Sequence, residues 1–237
     1  MRDFQPFLGL PLWFWLFVLP TIIVVLAGFF PEQGRRYLSP LWRVLDRIYN
    51  AAAVIAAGFL VIILLLIVAG IAVRWASGFF PGSTTHAGYA MAATSFFALA
   101  YTLTRGGHIR VSLFLNLTNG TRFWLDAFAM LVAAITATYF ARFAIKTTQF
   151  SKMLRENTQG QDLVPEWFIT LIEMLGSSPT QWSEMWANAG DQWVPTPIWL
   201  PQIPMSIGAI LLAVALWDYL SRLLVNRKTA IVGEAVE

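Results

Sequence analysis

The chain has 237 residues, 57% of them hydrophobic and only 12% charged, where a soluble domain carries roughly twice that charge. That balance excludes a soluble enzyme, a nucleic-acid binder and a disordered linker as first readings and points to a polytopic membrane protein. The net charge of +3 then reads as Lys/Arg in loops on one side of a membrane, and the absence of cysteine removes disulfides, thiolate metal sites and thiol nucleophiles.

A helix needs about 20 mostly apolar residues to cross the hydrocarbon core. Five segments meet or approach that length, so the expected fold is an all-α integral membrane protein with five transmembrane helices. Residues 7–30 carry no charge and close on Phe29 and Phe30 rather than on a small-residue cleavage site. They read as a retained helix kinked at Pro20, with a re-entrant or surface-lying segment as the alternative. Residues 31–48 read as a loop holding Arg35, Arg36, Arg43 and Arg47. Residues 49–73 and 87–104 are uncharged spans rich in small residues, among them Gly58, Gly70, Gly88 and a run of alanines, which let helices approach closely in lipid. Residues 123–145 form a span with Asp126 and Arg142 near its ends, and 204–224 a span that is apolar until Asp218.

Orientation follows from the basic residues. Residues 31–48, 105–122 and the tail share one side if there are five spans, and together they hold 10 of the 16 Lys and Arg. That side is expected to be cytoplasmic, the C-terminus with it, and the N-terminus periplasmic.

The long segment 147–203 is then outside. It is net acidic and holds almost half of the 11 Trp. Its stretch 165–175 is amphipathic, and Ser178-Pro179 opens a second helix with Pro at the first position. Trp182 and Trp186 suit the headgroup zone, where an apolar ring and one polar N–H are both satisfied. Two readings are compatible: helices lying on the membrane face, and a docking surface for a soluble partner. Four prolines between Val194 and Pro204 predict an extended lead-in, with Pro204 opening the last span.

Little here suggests chemistry. His86 and His108 flank the third span, about 33 Å apart along a helix, and cannot share a metal or a haem iron. No nucleotide-binding or nucleophile motif is present, and no catalytic residue, cofactor or metal ligand is assigned. Arg142, Asp218 and Arg222 lie near span ends, Asp218 and Arg222 as an i, i+4 pair. They read as snorkelling anchors or as contacts to a partner subunit or lipid. With no polar cluster at mid-membrane and no paired broken helices, the chain does not read as a carrier acting alone.

The stretch from Phe97 to Val111 resembles the signature of the small membrane subunit, DctQ-like, of tripartite ATP-independent periplasmic (TRAP) transporters. There a span ends at the cytoplasmic face in an element matched here by Gly107, His108, Ile109, Arg110 and Val111. The family's next position is commonly Asp; here it is Ser112, so no carboxylate role carries over. The Pro/Trp-rich entry to the last span and the basic tail also fit, and the likeness extends over roughly residues 43–227. Such subunits have four spans, which makes 7–30 an addition. The resemblance implies a scaffold beside a large DctM-like membrane subunit, working with a periplasmic solute-binding protein in sodium-coupled uptake of a carboxylated solute. Membrane lipids are the other expected partner. Rival readings are a membrane redox anchor or enzyme subunit, and a self-contained channel or carrier oligomer.

Overall fold

The computed structural model describes residues 6–105, 119–160 and 162–227. Its helices are α1 (Leu19–Phe29), α2 (Pro31–Trp75), α3 (Ser83–Thr104), α4 (Asn119–Leu154), α5 (Glu166–Met174), α6 (Trp182–Ala187) and α7 (Trp199–Asn226). Four short strands accompany them: β1 (Pro6–Phe7) pairs antiparallel with β2 (Leu10–Pro11), and β3 (Leu163–Pro165) with β4 (Trp193–Pro195). Among the described residues three helices, α2, α4 over Phe123–Leu154 and α7, are long and apolar enough to cross a membrane. The 22-residue α3 packs between α2 and α7, and the first apolar segment is shorter.

That first segment departs from the 24-residue span expected from sequence. Leu8 and Gly9 both take positive φ and turn the chain into the β1–β2 hairpin. Helix begins at Leu12, directly after β2, and passes through one π-helical turn over Phe14–Val18 into α1. Pro20 accounts for the irregularity: it has no N–H to offer the carbonyl of Leu16, and a wider turn absorbs the defect. Phe14–Phe29 amounts to about 24 Å of helix. Trp15, Leu16 and Pro20 lie against Ile210, Ala213 and Val214, so this helix starts beside the middle of α7 and runs to its end, where Gly28 meets Leu224.

The expected loop at 31–48 is helical instead. Pro31 opens α2 at its first position, with Glu32 in the first turn. From there one helix runs 45 residues to Trp75, about 67 Å. Trp42, Leu45, Tyr49, Ala52 and Ala56 recur every three or four residues and all turn inward. Pro40 is accommodated on the exposed side.

Packing centres on α7. Half of its apolar stretch is buried, against 11% of that of α2. The core is built from alanine: Ala100 of α3, Ala134, Ala137, Ala141 and Ala144 of α4, and Ala209, Ala213 and Ala215 of α7, sealed by Tyr49, Leu103 and Leu216. Between lipid-exposed helices there is no hydrophobic drive, so small side chains that allow close van der Waals packing hold the bundle. The bulky residues, among them Val54, Leu60, Leu64, Leu65 and Val68 of α2 and Phe128 of α4, point outward.

Helix α7 starts earlier than expected, at Trp199. Only 193–197 is extended, Pro201 falls in the first turn and Pro204 sits inside the helix. Helices α5 and α6 form where amphipathicity and Ser178-Pro179 placed them, the second preceded by a single 3₁₀ turn over Pro179–Gln181.

Candidate functional site

Two polar clusters tie the bundle, one at each end. At the end where α2 begins and α7 finishes, Arg222 is the hub. Its Nε donates to Asp218 Oδ1 at 3.1 Å, and its Nη2 donates to Asp46 Oδ1 at 2.8 Å and to the Trp42 carbonyl at 3.2 Å. The guanidinium lies over the Trp42 ring, 5.5 Å from its centroid. Tyr49 donates to Asp218 Oδ2 at 3.3 Å, and the Trp42 indole donates to Ser221 at 3.1 Å. Farther along, Arg35 donates to Asn226 at 3.0 Å. The side chain of Asp218 is only 2% exposed, so its charge is held by Arg222 and Tyr49 with no help from water. The pair that sequence spacing singled out, Asp218 and Arg222, is thus engaged within the chain, fastening α2 to α7.

At the opposite end Asp162 is fully buried just before β3. Its Oδ2 accepts from Tyr89 of α3 at 2.8 Å and from Thr158 at 2.8 Å. Its carbonyl accepts from the Thr196 hydroxyl at 3.0 Å and the Thr196 N–H at 3.1 Å. Beside it, a ring nitrogen of His86 lies 3.2 Å from the Leu163 carbonyl. Burial works to raise the Asp162 pKa, but the hydroxyl donors Tyr89 and Thr158 outweigh it and hold the carboxyl below its ordinary value. A depressed folded pKa contributes stability that is complete above the unfolded value, about 3.9, and is lost as pH falls through the folded one. The latch is therefore intact at neutral pH. Asp162→Ala should cost about 1.5–3 kcal/mol, concentrated where the segment 147–203 meets α3. Hydrogen exchange should show faster exchange in β3, β4 and the first turns of α3, with the α4–α7 core unchanged; uniform protection would refute the latch. No sequence motif announces Asp162, because only Thr158 is local and the partners that tie it to the rest of the fold, Tyr89 and Thr196, lie 73 and 34 residues away.

The other residues singled out from sequence fall as follows. Arg142 lines a crevice with Trp15, Pro20 and Trp217, on the face of α4 that meets the first helix. Trp182 and Trp186 are exposed on α6, the first donating its indole N–H to the Met174 carbonyl at 2.7 Å. Trp167 and Leu171 of α5 and Leu175 just after it are exposed as well, giving the segment 147–203 an aromatic and apolar surface. Lys152 bonds Glu173 at 3.0 Å and caps the Trp199 ring, joining α4, α5 and α7. Gly107, His108, Ile109, Arg110, Val111 and Ser112, and the tail past Arg227, lie outside the described residues. Among the described residues no His, Asp and Glu side chains gather in a group that could hold a metal ion.

Comparison with known proteins gives one result. Residues 63–178 match the family model described as tripartite ATP-independent periplasmic transporters, DctQ component. The matched region runs from the middle of α2 through α3, α4, β3 and α5, and so includes Gly107–Val111; the likeness read from sequence had reached farther, over 43–227. No curated protein and no solved structure matches the chain. The matched region holds Tyr89, Thr158 and Asp162, while Thr196, the latch's other partner, lies beyond it. Over residues 63–178, just under half of its length, the chain is similar to the DctQ component of the tripartite ATP-independent periplasmic transporters.

Proposed function

We propose that this chain is the small permease subunit of a TRAP transporter and serves as a static scaffold for a large membrane subunit. That subunit would carry out sodium-coupled uptake of a carboxylated solute delivered by a periplasmic binding protein. The observation that carries the reading is the family match over residues 63–178. The architecture is in keeping with it. A moving subunit needs something held still beside it, and a bundle stapled at both ends by Arg222 and Asp162 resists shear. The bulky outward face of α2 offers a wide apolar wall to a neighbouring subunit.

In this reading α2, α3, α4 and α7 cross the membrane, and the helix over Phe14–Phe29, about 24 Å long, falls short of the roughly 30 Å core. The start of α2 and the end of α7 then share a side, and their arginines make that side cytoplasmic. Helices α5 and α6 face the periplasm. Co-expression with the large subunit should yield a complex that survives purification in mild detergent, and reconstituted uptake should need all three proteins. A chain that stays monomeric beside its large subunit, or that transports a carboxylated solute alone in liposomes, would overturn the proposal.

A further inference from the structure

A crevice of about 660 Å³ opens at the arginine-rich end between α1, α4 and α7. Val25, Gly28 and Phe29 line one wall, Phe123 and Trp124 another, Leu224 the floor, and Arg227 stands at the mouth. A second hollow of about 250 Å³ shares Val25, Trp124 and Leu224 with it and continues along α1 past Phe128 and Leu131 to Thr21. Together they form an apolar groove running up the bundle from a cationic mouth. Arg35 does not line the crevice, but it donates to Asn226, the residue before Arg227, which brings a second guanidinium to the same end of α7. Arg227 is exposed and ends α7 in the left-handed conformation, φ +49°.

We propose that this groove binds an anionic phospholipid, with an acyl chain along Val25, Phe128 and Leu131 and the phosphate between Arg227 and Arg35. The charge pattern decides the occupant. An apolar partner helix would gain nothing from two guanidinium groups at one end of its seat, whereas an acidic headgroup with an acyl tail needs that polarity. Trp124, 70% exposed beside the mouth, suits the headgroup boundary. The α1 wall, Leu224 and Arg227 lie outside the region matched by the DctQ family model, while Phe123, Trp124, Phe128 and Leu131 lie within it.

Native mass spectrometry of the full chain in mild detergent, with phosphatidylglycerol and phosphatidylcholine added separately, tests this. Phosphatidylglycerol should be retained preferentially. The R35Q/R227N variant, chosen because Asn tolerates the left-handed backbone, should lose about thirty-fold in that preference. Val25→Trp should fill the groove and lower retention of both lipids, with helicity and elution volume unchanged as the control for folding. Equal retention of the two lipids, or a preference untouched by R35Q/R227N, would overturn the proposal. A photo-crosslinker at Phe128 in the cellular membrane should capture phospholipid; capture of a polypeptide would make the groove a subunit contact and refute lipid binding.

Discussion

Arg222→Met should unfold the chain's α2–α7 junction at a cost of about 3–5 kcal/mol, a drop of roughly 6–20 °C in the unfolding midpoint in detergent. The size follows from what is left behind. Removing the guanidinium strands the carboxylate of Asp218, 2% exposed, with Tyr49 as its remaining side-chain donor. Asp46 loses its partner too, but that side chain is 47% exposed and returns to water at little cost. The double variant D218L/R222M should recover part of the loss, because an apolar pair avoids desolvating either charge, while the buried Tyr49 hydroxyl loses its acceptor. Asp46→Asn alone should shift the midpoint little. Fluorescence-monitored thermal unfolding of the three variants separates the cases. If the single and double variants fall equally, Asp218 is not held by Arg222, and α2 is fastened to α7 by packing alone.

How far the sequence anticipates this depends on range. The i, i+4 spacing of Asp218 and Arg222 is local and legible. Their partners Trp42, Asp46 and Tyr49 are not, since four arginines within 31–48 signal a loop by charge, while the inward period of Trp42, Leu45 and Tyr49 signals helix. Packing against α7 settles that contest in favour of helix, and a long helix satisfies its own backbone wherever it runs. The extents of α3 and α4 were read short for the same reason: hydropathy marks where a helix is in lipid, not where its hydrogen bonds stop. The first segment errs the other way. Apolar composition alone cannot distinguish a spanning helix from a hairpin followed by a shorter one, and Pro6, Gly9 and Pro11 turn the chain before helix can start. The Asp162 latch is illegible in the sequence because it joins Tyr89 to Asp162 and Asp162 to Thr196, pairings that only the folded chain brings together.

Small residues carried the same ambiguity, and one of them sets the second large effect. Gly208→Ala should destabilise the bundle by about 1–3 kcal/mol, and Gly208→Leu by more. A Cβ at Gly208 would stand 2.5 Å from the carbonyl oxygen of Phe96 and 2.6 Å from its carbonyl carbon and Cβ, so the backbones of α3 and α7 touch there. Neither side can yield easily. Phe96 is stacked on Phe140 of α4, centroids 6.4 Å apart, and Gly208 is flanked in α7 by the buried Ser206 and Ala209. Ser206 also shares a hydrogen bond of 2.8 Å with Thr148 of α4. Relief therefore requires moving a whole helix, which is why the cost exceeds that of one methyl group. Gly58 and Gly88 look equivalent in sequence, yet a Cβ at either meets nothing within 4 Å. Gly58→Ala should be neutral or stabilise by up to about 1 kcal/mol through helix propensity. The contrast also probes the scaffold reading. If the open face around Gly58 receives the large subunit, Gly58→Leu should leave the isolated chain's unfolding midpoint unchanged and reduce recovery of the complex. Gly208→Leu should lower the midpoint first, with or without the partner. Unchanged recovery with Gly58→Leu would move the subunit contact to another face, and an unchanged midpoint with Gly208→Leu would refute the close approach of α3 and α7.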